Sequence, residues 1–328
     1  MADVAKAAGV SMPVVSAILK VSDKNNSRFS SATMKKVQKV ARELNYRPHR
    51  AARKFAKDEK STIGLLVEHA GSIRPQILTF IVEWADQYDL EIILEKMKQT
   101  EHPRFLRENI VDGIITFNRL PDQISEEIEQ LNIPIVVVNA RGGGPSACHI
   151  YFDEAGGMRK ILEYFKSQGK QHPMLFENAE GWHYAWEARR NTFLEVCPGL
   201  GIADPRIIEL NVKNPASGGI RIYEQTLKAL QQYPKTDAVI VDWDHDAVCV
   251  YEAARQLGKR IPDDLSVVSI SSERPTLFER MNPPLSSLKL NSVGIAKQAI
   301  LLMLDLFAGK KIKQKDICSP YKLNIRGS

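Results

Sequence analysis

ADVAKAAGVSMPVVSAIL, residues 2–19, decides how the rest of the chain is read. Val4, Ala7 and Ala8 recur at i, i+3 and i+4, the spacing of a short amphipathic helix. Gly9 predicts its end, because glycine adopts the left-handed conformation just past a helix without a Cβ penalty. Ser11 has the character of an N-cap. Pro13 falls in the first turn of the next helix, where a missing N–H does no harm. Val14, Val15, Ile18 and Leu19 then give that helix a face to bury. Two short helices joined by a glycine-containing turn make a helix-turn-helix, whose second helix normally enters the DNA major groove.

Moving outward, Asn25, Asn26 and Ser27 signal a turn, and a third helix follows with Ser30 or Ser31 as its cap. Met34, Val37, Val40, Ala41 and Leu44 recur at helical spacing and can cover the first two helices. Tyr46-Arg47-Pro48 ends it, since proline disfavours helix in the residue before it. Residues 49–57 are rich in alanine and basic side chains. They have helical propensity but are too few for a helix that is stable alone.

The net charge of +6 is unevenly placed. Residues 1–60 hold 14 Lys and Arg against 5 Asp and Glu, and the remainder is slightly acidic. A basic head on a faintly acidic body is the footprint of a polyanion-binding module attached to something else. At 328 residues the chain suits two or three domains. No run of about 18 apolar residues predicts a membrane span. No charged-then-apolar leader opens the chain, so it is expected in the cytoplasm. Cys148, Cys197, Cys249 and Cys318 are scattered without CxxC spacing, which indicates neither a zinc site nor a disulfide framework.

From Ser61 the pattern changes. Short β-type runs at 62–67, 90–94, 113–117 and 133–138 alternate with helical segments at 77–88, 105–109 and 124–131. After the Gly142-Gly143-Gly144 turn, helices at 155–168, 185–196, 222–231 and 247–257 alternate with strands at 174–176, 207–210, 238–241 and 265–270. An extended segment at 285–290, a long helix at 293–307 and a last strand within 321–325 complete the chain. Strand–helix alternation at this spacing predicts an α/β fold of parallel βαβ units.

The chain resembles the lactose-repressor (LacI) family of bacterial transcription regulators. The resemblance rests on residues 3–11 (DVAKAAGVS), Val15-Ser16 and residues 44–48 (LNYRP), which match in order, spacing and position. It implies a three-helix headpiece over 1–46, a hinge over 47–60, and a periplasmic-binding-protein-like core of two subdomains. These would comprise 61–151 with 287–311, and 152–286 with 312–328, and an effector cleft would lie between them. The chain would cross between subdomains near 151–153, 286–288 and 310–315. The resemblance implies a ligand-responsive repressor, active as a homodimer on a near-palindromic operator, with a sugar or sugar derivative as effector and no cofactor, metal, membrane partner or catalytic activity. The other function open to such a core is small-molecule binding or catalysis without a regulatory DNA role.

By position, Met12, Pro13 and Ala17 match base-facing residues of the family, and Ser11, Ser16, Thr33 and Tyr46 match phosphate contacts. Apolar side chains cannot make the bidentate hydrogen bonds that read guanine or adenine. They can touch thymine methyls, with Arg28 and DNA shape carrying the remaining readout. The family places leucine where Phe55 stands. Phe55 is therefore expected as a wedge in the minor groove, with Arg53 beside the flanking phosphates. In the cleft, Arg189, Asp244, Asp153 and Trp182 match or neighbour effector-binding positions. An arginine with carboxylates suits a polyhydroxylated or carboxylated molecule. Trp182, Tyr184, Trp186 and Trp243 form an aromatic group near the same loops.

Other motifs fail. Asp242, Asp244 and Asp246 open like a calcium loop, but Ala247 and Ala253 stand where glycine and glutamate belong. The glycine triplet lacks GxGxxG spacing and a P-loop lysine, and no GxSxG or HExxH occurs.

Overall fold

The computed structural model describes residues 1–19, 29–44, 46, 61–67, 75–97, 102–117, 119–178, 183–210, 218–270 and 278–328. It divides into two compact units, Met1–Lys60 and Ser61–Ser328.

The first unit contains helices α1 (Ala2–Ala8), α2 (Met12–Ile18) and α3 (Ser31–Glu43). Gly9 ends α1 at φ 68°, in the left-handed region, and Ser11 is the N-cap of α2 with proline in the first turn. Ser30 caps α3, its Oγ accepting from the Thr33 N–H at 3.1 Å. Val4, Ala5, Ala8, Val15, Ile18, Val37 and Ala41 form the core of this unit. Two positions differ from the periodicity reading. Ala7 is exposed and Ala5 takes its buried place, because α3 packs on the 4–5–8 side of α1. Leu44 is 49% exposed, since it lies past the end of α3.

The second unit is built on two six-stranded sheets. The first contains β1 (Thr62–Val67), β2 (Glu91–Lys96), β3 (Gly113–Thr116), β4 (Ile135–Val138), β5 (Cys148–Phe152) and β11 (Asp316–Ser319), in the order β11-β5-β4-β3-β1-β2. All its pairings are parallel. Helices α4 (Pro75–Gln87), α5 (Arg104–Arg107), α6 (Asp122–Gln130) and α11 (Ser292–Phe307) belong to this half.

The second sheet contains β6 (Pro173–Asn178), β7 (Arg206–Leu210), β8 (Ala238–Val241), β9 (Ser266–Ser269), β10 (Ser286–Lys289) and β12 (Lys322–Asn324), in the order β12-β10-β9-β8-β6-β7. It is parallel except for the β10–β12 pair. Helices α7 (Glu154–Ser167), α8 (Tyr184–Gly199), α9 (Gly218–Gln232) and α10 (Asp244–Gln256) flank it. In each sheet the first strand is flanked by the second on one side and the third on the other. A switch point therefore lies at β1/β3 and at β6/β8, and ligands bind at the carboxyl ends of such strands. One apolar cluster, including Ile63, Val138, Phe152, Phe165, Phe193 and Tyr321, runs through both halves.

The expected α/β architecture and three crossings are present, but two crossings are displaced. β10 pairs with β9, so 286–289 belongs to the second half and the chain crosses after it, at 290–291. β11 pairs with β5 in the first sheet, so the segment 312–328 is split and its crossing lies at 320–321. β5 and β11 lack a continuous apolar run. β11 is an edge strand with Asp316 and Cys318 exposed, and only its pairing makes it a strand.

Candidate functional site

On the first unit, Ser11, Met12 and Pro13 are exposed at the start of α2, Met12 at 53%, and Ser16 and Ala17 are half-buried along it. Ser11 makes no side-chain capping bond. Its hydroxyl stands at the positive end of a helix, where phosphate is favoured. Thr33 is half-buried, and its hydroxyl shares a 2.8 Å hydrogen bond with Ser30 Oγ. Tyr46 packs against the three-helix core, its N–H donating to the Ala41 carbonyl at 2.8 Å. Arg28, Arg53 and Phe55 lie outside the described residues.

In the second unit the candidate cleft residues gather where β5, β6 and β8 end. Arg189 sits in the second turn of α8, 7% exposed. Its Nε donates to Glu154 Oε2 at 2.8 Å and its Nη1 to Asp242 Oδ1 at 2.9 Å. Burial opposes the guanidinium's charge, but Glu154 and Asp242 outweigh it and hold Arg189 well above its usual range. Glu154 also accepts from the Tyr321 hydroxyl at 3.1 Å. The arginine is thereby tied to two crossings, one beside Glu154 and the other at Tyr321.

Asp153 caps α7, its Oδ1 accepting from the Gly156 N–H at 2.9 Å. Asp244 opens α10, 2% exposed, with His245 Nδ1 at 4.0 Å. Trp243 caps α10 by its backbone and its ring stacks on His245 at 6.1 Å between centroids. Trp186 lies 6.2 Å from the His183 ring. Trp182 lies outside the described residues. The structure thus brings Arg189 together with Glu154 and Asp242, and puts Asp153 to work as a cap.

A second link joins the two halves directly. Asn139, just past β4, has φ 53°, a left-handed conformation that asparagine tolerates better than most residues. Its carbonyl accepts from His183 Nε2 at 2.9 Å and its Oδ1 accepts from the Tyr184 hydroxyl at 2.5 Å. His183 Nδ1 meanwhile accepts from the Ala185 N–H at 3.1 Å, so the ring is neutral with its proton on Nε2. Burial is the main cause that lowers the His183 pKa, and neighbouring Arg189 adds to it. Arg141 stands 5.5 Å over the Tyr184 ring, and Tyr151 meets that ring edge-on at 5.7 Å.

Sequence reasoning missed Glu154, Asp242, Asn139, His183 and Tyr321 as site residues. Asp242 had a usable signal, a carboxylate one residue past a fully buried strand. Asn139 had none, since only the fold brings it to α8.

The comparisons agree with this architecture. Residues 1–49 match the model for bacterial regulatory proteins of the lacI family, and residues 162–328 match that of the periplasmic binding protein-like domain. Catabolite control protein A of Staphylococcus xylosus is 27% identical over 340 residues, covering 99% of this chain and 98% of that protein. The crystal structure of the Lac repressor bound to ONPG in the repressed state superposes with a TM-score of 0.78 at 23% identity, covering 99% of this chain and 97% of that one. The complex of the transcriptional regulator CelR with cellobiose gives 0.67 at 19% identity, covering 99% and 98%. The match over residues 162–328, half of the chain, means that the chain belongs to the periplasmic binding protein-like family, and its residues 1–49 are a DNA-binding unit of the lacI family of bacterial regulatory proteins.

Proposed function

We propose that the protein is a cytoplasmic, non-enzymatic transcription repressor that binds a near-palindromic operator as a homodimer and responds to a small sugar or sugar-like effector. The observation that carries this reading is the pairing, in one chain, of a basic helix-turn-helix unit with a two-sheet core whose strand ends converge on buried charged residues. Relatives supply the ligand class: one similar structure is a Lac repressor bound to ONPG and another is CelR with cellobiose.

On DNA, Ser11, Ser16, Thr33 and Tyr46 would contact phosphates, while Met12, Pro13 and Ala17 would lie against base edges and thymine methyls. Arg28 would add polar readout, and Phe55 with Arg53 would act at the operator's centre. In the core, a ligand beside Asp153, Trp182, Arg189 and Asp244 would alter the angle between the halves through the Glu154 and Tyr321 crossings. Such coupling is typically about 1–3 kcal/mol.

The test is a gel shift of full-length protein on sequences selected from random duplexes, run across salt concentrations with and without sugars. One selected palindrome, a steep loss of affinity with salt and a sugar-dependent shift are expected. Sequence-indifferent binding, or turnover of a sugar without any DNA selection, would refute the proposal.

A further inference from the structure

Both strands at the switch point of the second sheet lead into carboxylates. The β6–β8 pairing runs to Phe176 and Val241. Glu177 and Asp242 follow as neighbours, 5% and 3% exposed. Among the described residues, the cations beside them are committed. Arg189 is held by Glu154 and Asp242. Arg190 binds Glu209 at 2.6 Å and Glu177 Oε2 at 2.7 Å. The other oxygen of Glu177, Oε1, is buried and has no hydrogen-bond partner among the described residues. Leaving such an oxygen unsatisfied is costly, and a group without a partner in the free protein is a place where a ligand donor gains most.

The sign of the site follows from the same residues. Among the described residues, the buried carboxylates of Glu154 and Asp242 bracket the buried Arg189, and buried Glu177 lies beside Asp242. Burial, the largest influence, pushes the Glu177 carboxyl up; Arg190 partly offsets this, and the negative Asp242 adds to it. A phosphate or carboxylate entering here would meet an opposing field, and among the described residues the two arginines beside it, Arg189 and Arg190, are already paired. An N–H donor carrying positive charge meets the open oxygen and relieves the repulsion at once.

We propose that the switch-point crevice contains a subsite for a protonated amine, with Glu177 Oε1 as the acceptor and Asp242 as the second negative charge. This rests on the cleft being the effector site, and for a sugar effector it means an amino sugar. A hydroxyl can also donate to Glu177, but it brings no charge to relieve the repulsion between Glu177 and Asp242.

The test is isothermal titration calorimetry on the full-length protein at low salt and about pH 6.5, below the pKa of a simple amine. The probes are glucose, galactose and mannose, their 2-amino and aldonic acid counterparts, and putrescine as an amine without a sugar ring. A hexosamine is expected to bind about tenfold or more tightly than its parent hexose, with the aldonic acids silent. Glu177→Gln should shrink that preference to within about threefold, by loss of the charge-assisted bond. Equal binding of hexose and hexosamine, or preference for an aldonic acid, overturns the amine subsite while leaving the sugar reading intact. Putrescine binding with the sugars silent supports the subsite and overturns the sugar reading. Silence of every probe tells against both. The comparison among ligands on the unsubstituted protein decides the matter even if Glu177→Gln fails to fold.

Discussion

Arg189 is a residue whose environment changes what its replacement should do. Position alone suggests a side chain waiting for ligand, with Arg189→Ala harmless to the fold. Buried between Glu154 and Asp242, it is also structural. Removing one partner of a buried ion pair typically costs about 3–5 kcal/mol, because the remaining charges are left uncompensated. Arg189→Ala is therefore expected to lower core stability by about that amount as well as to abolish the ligand response. Urea denaturation beside calorimetry separates the two effects; unchanged stability would mean that the ion pairs do not form. His183 gives a pH prediction at the same scale. Its pKa is lowered in the folded protein, so below about pH 6.5 the unfolded chain binds the proton first. Stability is fully present above that value and falls as pH drops from it through the folded pKa. Protonation fills Nδ1, which removes the α8 cap to Ala185. His183→Gln should flatten the stability profile across that window, measured by thermal unfolding against pH; an identical slope in both proteins would refute the assignment.

Among the elements, β1 shows how closely the first sheet is covered. A Cβ built on Gly64 would come within 2.9 Å of the Phe105 ring, which is fully buried. A buried ring has little room to retreat, and overpacking of this kind costs about 1–3 kcal/mol. Gly64→Ala is expected to destabilise the core by that amount, read from the urea midpoint, while leaving the melting of the three-helix unit unchanged. The helices were the most legible elements, because their caps and periodicity are local. Gly9 and Ser30 act where the pattern places them, and Ser11 holds the N-cap position without a side-chain bond. β5 and β11 were illegible because their strand character comes from pairing with each other and with β4.

The whole molecule divides at Lys60, so function should divide there as well. A chain starting at Ser61 carries both sheets and their cores, but none of the three helices. It is expected to retain ligand binding in calorimetry and to lose DNA binding in gel shifts, whose affinity resides in the basic segment. DNA binding that survives this truncation would contradict the assignment of the headpiece. Within the second unit, the Asn139 link to His183 and Tyr184 and the Tyr321–Glu154–Arg189 chain connect the two halves. They are the contacts that a change of angle would have to alter.

By itself the sequence determined the helix-turn-helix, the concentration of positive charge in residues 1–60 and the alternation of strands with helices. Each of these depends on residues within a few positions of one another. It also singled out Arg189 and Asp244 through spacing shared with a family. Tertiary structure alone decided which half claims β10 and β11, and what Arg189 touches. Its partners Glu154 and Asp242 lie 35 and 53 residues away along the chain. No local period encodes such separations. Charge pairing at that range is set by where β5, β8 and α8 end once the sheets have packed.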